Sequence, residues 1–270
     1  MSGLRTSKDL AVEVRSRGRV PKGADAYARQ KVLAVTGRVS EPVLSARVKL
    51  TQAVDTSAPR PATAQAVVDV NGRPVRAHVA AGTVFEAVDL MQDRLAARIA
   101  RARRYGERGR HGSGSGSGSG DEAAWWTGPG HEHRPYRRHL PAEERRIVRH
   151  KSFGLARQTP EDALIDLEAM DHDFWLFTDL ASGYDSVVYR DPRTGRPRMA
   201  SLGPVDPGPE TEGLLSLSPV PVPLCGVTEA VRRLHMTGLP FVFFHDTGTG
   251  RGSVLYHRYD GHDGLIAPAL

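Results

Sequence analysis

The stretch ALIDLEAMDHDFWLFTDLASGYDSVVYR, residues 163–190, decides the architecture because it occurs twice. Shifted forward by 67 positions, it aligns without a gap to AVRRLHMTGLPFVFFHDTGTGRGSVLYH, residues 230–257. Nine of the 28 positions are identical, far above chance: Ala163/Ala230, Leu167/Leu234, Phe174/Phe241, Phe177/Phe244, Asp179/Asp246, Gly183/Gly250, Ser186/Ser253, Val187/Val254 and Tyr189/Tyr256. Each copy reads as a short helix, an aromatic strand, a glycine-containing turn and a second strand. A repeat of this kind marks a module that does not bury its apolar face alone. Alternation along the aromatic strands sets Phe174 and Leu176 against Trp175 and Phe177, and Phe241 and Phe243 against Val242 and Phe244. Strands apolar on both faces need cover on both. One short helix covers one face, so these eight residues are the candidate module-pairing set.

Around the repeat, the helix of the first copy opens at Thr159-Pro160-Glu161-Asp162, with an N-cap, a proline and acids in the first turn. Residues 146–153 read as a strand, and residues 197–202 as a third strand of the first copy. The second copy starts a helix at Thr228, ends it at Gly238 and closes with a strand around Gly264–Ile266. Six prolines between Pro204 and Pro223 mark an extended connector. The expected division is 1–105 for a basic domain, 106–144 for a linker, 145–204 for module 1, 205–223 for the connector and 224–270 for module 2.

The formal net charge of +6 conceals a division. Residues 1–105 hold 19 Lys/Arg against 9 Asp/Glu, whereas residues 151–270 hold 10 against 16. A basic head tied to an acidic tail points to a polyanion-binding head. In the head, residues 9–15 alternate as a strand and Ala24–Thr36 reads as a helix buried on Ala24, Ala28, Val32 and Val35. Strands follow at 44–51, 64–70 and 75–80, the last two joined by Asn71-Gly72, a hairpin signal. A long helix covers 83–105, opening on Thr83 and Glu86 as a capping box. The order β-α-β-β-β-α gives two helices on one face of a four-stranded sheet. The fold class is α+β.

Cations gather on three surfaces of that head. Arg29 and Lys31 lie off the buried face of the first helix. Arg47, Lys49 and Arg76 point from the outer face of the sheet. On the long helix the charges sort by sign, with Glu86, Asp89 and Asp93 on one flank and Arg94, Arg98 and Arg101 on the other. Arg103 and Arg104 end the helix, where cations also suit its dipole. These ten residues are the candidate nucleic-acid-binding set.

The tether contains Gly112–Gly120, a pure Gly-Ser alternation of the most flexible composition. Trp125 and Trp126 interrupt it as a candidate docking anchor. His131, His133 and His139 lack cysteines or a helix to orient them as metal ligands. One cysteine, Cys225, excludes an internal disulfide. No apolar run is long enough to span a membrane, and the first 30 residues lack a signal-peptide core. A cytoplasmic protein is expected. No nucleophile motif or phosphate-binding loop is present, and Gly248, Gly250 and Gly252 read as a hairpin turn. No enzyme, cofactor or metal is expected.

The β-α-β-β-β-α head, with VNG at Val70–Gly72 and FEAVDLMQDRLAARI at Phe85–Ile99, resembles the bacterial ribosome hibernation-promoting factors. IVRHKSF, TPEDALIDLEAMDHDFWLF and VVYR resemble the C-terminal domain of their long forms, and RYDGHDGLIAP resembles its closing strand. The doubled C-terminal module is similar to the dormancy- or hypoxia-associated factors of actinobacteria, and 32 Arg against 5 Lys fits a high-GC genome. The resemblance implies a protein of the small ribosomal subunit that occupies the groove of messenger and transfer RNA, touches 16S rRNA and ribosomal proteins, and silences translation. A free-standing RNA-binding regulator or RNA chaperone and a protein-interaction adaptor are the alternatives. In the long forms, the resemblance implies, the C-terminal domain pairs with that of a second molecule and joins two ribosomes. Here the partner module is on the same chain, at an effective concentration of about millimolar. Against a micromolar cellular concentration, that favours pairing in cis by roughly 4 kcal/mol. The expectation is an intramolecular pseudo-twofold pair, a monomer, and silenced single ribosomes.

Overall fold

The computed structural model describes residues 10–53, 60–108, 140–192, 194–206 and 215–269. The Gly-Ser run, Trp125, Trp126 and the three tether histidines lie outside the described residues. The chain divides into two compact units, one formed mainly by the N-terminal segment and the other mainly by residues after Arg137.

In the first unit, β1 (Val12–Gly18) leads through α1 (Ala24–Thr36) to β2 (Val43–Gln52), which lies parallel to β1. The strands β3 (Ala62–Val70) and β4 (Arg73–Ala81) extend the sheet antiparallel, in the order β1-β2-β3-β4. Asn71 and Gly72 turn the hairpin with φ of 53° and 84°, the left-handed pair that suits strand twist. The last element is α2 (Val84–Arg108). At its start Thr83 Oγ1 accepts from Glu86 N at 3.2 Å, while the Glu86 carboxylate accepts from Gly82 N at 3.1 Å. The box therefore closes one residue earlier than its usual reciprocal form. Beneath the helices the sheet offers small residues, with Ala62, Ala64, Ala66 and Ala77 fully buried. These leave room for Met91, Leu95 and Ile99 of α2 and for Val32 of α1 in the same core.

The second unit holds two five-stranded sheets that repeat one another. The first module runs β6 (Arg157–Gln158), α3 (Pro160–Ala169), β7 (Phe174–Asp179), β8 (Asp185–Arg190) and β9 (Pro197–Ser201). The second runs β11 (Leu224–Cys225), α4 (Val227–Thr237), β12 (Phe241–Asp246), β13 (Gly252–His257) and β14 (Asp263–Pro268). Each sheet takes its fifth strand, parallel, from the chain just ahead of the other module. The strand β5 (Ile147–Phe153), which the sequence places with module 1, pairs with β14 of module 2. Reciprocally, β10 (Ser216–Leu217), inside the proline connector, pairs with β9 of module 1. The two modules exchange strands. Alternation within 146–153 fixes which side chains share a face, but a backbone edge accepts any strand of suitable register.

Candidate nucleic-acid interface and pairing face

In the first unit the helices take one face of the sheet and leave the other to a mostly polar set rich in cations. The register sets Arg15, Lys49, Gln65 and His78 side by side in one row, and Glu13, Arg47, Val67 and Arg76 in the next. Arg47 and Lys49 are exposed, and Arg76 reaches Gln65 Oε1 at 3.3 Å. Arg15 and Arg17 of β1 are also exposed and belong to the same face. They lie outside the predicted set, and their alternation with Val12 and Val14 is the signal that could have found them.

The remaining cations serve different ends. On successive turns of α2, Arg94, Arg98 and Arg101 share one flank. Lys31 instead fastens α1 to α2: its Nζ lies 2.7 Å from Asp89 and 5.0 Å from the centre of the Tyr27 ring. The Tyr27 hydroxyl donates to the same carboxylate at 2.8 Å. Asp89 foremost, then Tyr27, hold the lysine above its usual pKa, and Lys31 in turn lowers that of Asp89. Arg29 Nε donates to Val12 O at 3.4 Å, tying α1 to β1. Arg103 binds Glu41 at 2.8 Å and Ser40 at 2.6 Å, anchoring α2 to the loop before β2. The Arg104 side chain lies outside the described residues.

In the second unit, the eight aromatic and aliphatic positions of the pairing set divide into two groups. Phe177 and Trp175 pack under α3 with Ala163, Leu164 and Leu167. Phe244 and Val242 pack under α4 with Ala230 and Leu234. These four residues hold each sheet to its own helix and do not pair the modules. The pairing face is made by Phe174 and Leu176 against Phe241 and Phe243, with Val187, Tyr189, Val254 and Ile266 around them. Its contacts obey the repeat. Phe174 meets Phe241, 67 positions on, with ring centroids 4.8 Å apart. Phe174 also meets Tyr256 at 5.6 Å, and the mate of that contact, Tyr189 with Phe241, is at 5.4 Å. A pseudo-twofold axis therefore passes between the modules of a single chain.

One polar contact at this face was not read from the sequence. Asp185 is buried, 4% exposed, and accepts from Arg251 Nε at 2.7 Å and Nη2 at 2.9 Å. It also accepts from Gly252 N at 2.9 Å and Thr178 Oγ1 at 3.1 Å. Burial would raise the Asp185 carboxyl, but Arg251 first, and then the Gly252 N–H, outweigh it and hold it below the usual aspartate value. A second buried carboxylate, Asp263, bridges His235 and His257 at 2.8 Å each, beneath stacked imidazole rings. Among the described residues no cluster of His, Cys, Asp or Glu is arranged to hold a metal ion, and no helix is long and apolar enough to cross a membrane.

Residues 142–195 and 218–265 both match the model of the Sigma 54 modulation/S30EA ribosomal protein C terminus. Over 235 residues the chain is 36% identical to the dormancy associated translation inhibitor of Mycobacterium tuberculosis, covering 83% of this chain and 76% of that one. The chain belongs to the ribosome hibernation factor family. Within that family the two matched segments identify the branch with a doubled C-terminal domain. A shorter match, 50% identity over 44 residues, links it to the ribosome hibernation promotion factor of Deinococcus radiodurans, over 16% of this chain and 22% of that one. Among solved structures, the protein Y N-terminal domain of Thermus thermophilus aligns at 22% identity with a TM-score of 0.28, over 34% of this chain and 96% of that one.

Proposed function

We propose that this protein is a cytoplasmic ribosome hibernation factor that binds the small ribosomal subunit, inhibits translation and keeps idle ribosomes single under stress or dormancy. The head occupies the messenger and transfer RNA channel, with the arginine flank of α2 and the outer sheet face toward 16S rRNA. The sorting of Arg94 and Arg101 onto one flank, with Arg98 buried between them, supports this orientation, as do the two adjacent sheet rows that carry Arg15 and Lys49, and Arg47 and Arg76. The protein acts as a monomer.

The observation that carries the single-ribosome reading is the cis pair. Phe174, Leu176, Phe241 and Phe243 already cover one another within one chain, so this pairing face is not open to a second molecule. The test is co-sedimentation of the full-length protein with small subunits at graded salt. Reversing Arg94, Arg98 and Arg101 to Glu is expected to weaken binding by orders of magnitude and to flatten the salt slope by about one unit per lost phosphate contact. Binding by the triple variant equal to that of the unaltered chain overturns the α2 interface. Added to whole ribosomes, the unaltered protein is expected to leave single particles in a sucrose gradient, and ribosome dimers overturn the single-ribosome reading.

A further inference from the structure

The repeat is least symmetric where symmetry matters most. Asp185 and Gly252 occupy equivalent positions, 67 residues apart, and they touch one another: Gly252 N donates to the Asp185 carboxylate at 2.9 Å. A residue in contact with its own repeat mate sits beside the pseudo-twofold axis. In a perfectly symmetric pair, both would be the same residue. Here one copy supplies a buried carboxylate, and the other supplies the glycine that admits it and the Arg251 guanidinium that neutralises it.

We infer that Asp185, Arg251 and Gly252 make module pairing heterotypic, so that module 1 accepts only a module 2 and neither accepts a second copy of itself. The geometry excludes both homotypic pairs. In a pair of first modules, a second Asp185 would replace Gly252. A Cβ at position 252 lies 2.7 Å from the Asp185 Cβ, closer than real side chains approach. Tyr184 is the repeat mate of Arg251, so no guanidinium would face the two buried carboxylates. Like charges set together at an interface weaken it by a factor of more than about a hundred in affinity. In a pair of second modules, Gly252 would face Gly252, and Arg251 would lose the acceptor it holds bidentately. The asymmetry therefore does more than stabilise the cis pair. It removes the homotypic contact by which a single repeated face would cross-link two molecules, and any association between chains is left to reciprocal exchange of module 1 for module 2. This consequence deepens the single-ribosome reading and rests on it, but the pairing rule is testable without ribosomes.

Two full-length variants expose one face each. Phe241→Glu with Phe243→Glu disables the face of module 2, and Phe174→Glu with Leu176→Glu disables that of module 1. Light scattering is expected to find each variant monomeric alone and a 1:1 heterodimer on mixing, with any self-association at least about a hundredfold weaker. Adding Asp185→Gly to the first variant is expected to strengthen its self-association. Self-association of the first variant with Asp185 intact, comparable to the heterodimer, overturns the inference, and so does a mixture that stays monomeric. If a face variant fails to fold, urea unfolding of Asp185→Ala, Arg251→Ala and the double variant in the otherwise unaltered chain replaces it. Strictly additive losses overturn the inference, and a double loss smaller than the sum supports it. Sedimentation with small subunits separately tests the silencing, so failure of that reading leaves the pairing result standing.

Discussion

At the scale of the residue, the identities shared by the two modules mark where backbone geometry leaves no choice. Asp179 accepts from Ser182 N and Oγ in the first hairpin, and Asp246 accepts from Gly248 N and Thr249 Oγ1 in the second. Both turns then need a left-handed residue, supplied by Gly183 at φ 74° and Gly250 at φ 67°. At the pairing seat, Gly252 is required by close approach instead. Gly252→Ala is expected to lower the stability of the C-terminal pair by about 1–3 kcal/mol, read from urea unfolding, because the new methyl overlaps Asp185 and Phe243. The buried carboxylates also set a pH dependence. Asp185 and Asp263 are both held below the usual aspartate pKa, against burial: Asp185 chiefly by Arg251, Asp263 by His257 and then His235. A depressed folded-state pKa contributes stability that is present above the unfolded value and lost as pH falls through the folded one. Stability of the pair is therefore expected to fall progressively below about pH 5. Asp185→Asn should flatten part of that slope in acid-titrated unfolding curves.

At the scale of the element, α2 and the exchanged strands are the parts on which the rest depends. The α2 start relies on Thr83, whose hydroxyl accepts from Glu86 N. Thr83→Ala is expected to cost about 1 kcal/mol of head stability, measured by thermal unfolding, with no change in the C-terminal unit. The strand β5 makes a sharper case. Its Ile147 packs in the core under α4, and its backbone pairs with β14 from Asp263 to Pro268. Replacing residues 147–153 with a Gly-Ser tract of equal length is therefore expected to speed hydrogen exchange first in β13 and β14. Earlier loss of protection in β8 and β9 would place the strand in the wrong module. The two-residue β6 and β11 are repeat mates as well, at 157–158 and 224–225, so Pro219, Pro221 and Pro223 leave the second module with as much leading strand as the first.

At the scale of the whole molecule, the repeat makes an interface that ordinarily needs two chains available to one. The full-length protein is expected to run as a monomer in light scattering across micromolar concentrations, since the cis partner outcompetes a free one by about a thousandfold. Much of this was legible in the amino-acid order. Period-2 alternation located β2, β3 and β4 to within two residues, and period-3.6 spacing placed α1 at Ala24–Thr36. The same alternation divided Phe174 and Leu176 from Trp175 and Phe177 correctly, because a strand offers only two faces. Which of those faces met the helix and which met the other module was not legible. That choice depends on how the crossing from α3 to β7 lays the helix on the sheet. The partner edge of β5 was equally hidden, since hydrogen-bonding edges carry no residue code. Asp185 and Arg251 lie 66 positions apart, in different copies of the repeat, with nothing in either neighbourhood to announce the other. Local pattern determined the elements and their faces through short-range sterics and burial. Only the superposition of the two modules across their axis decided which side chains meet, because that meeting is fixed by symmetry in space rather than by spacing along the chain.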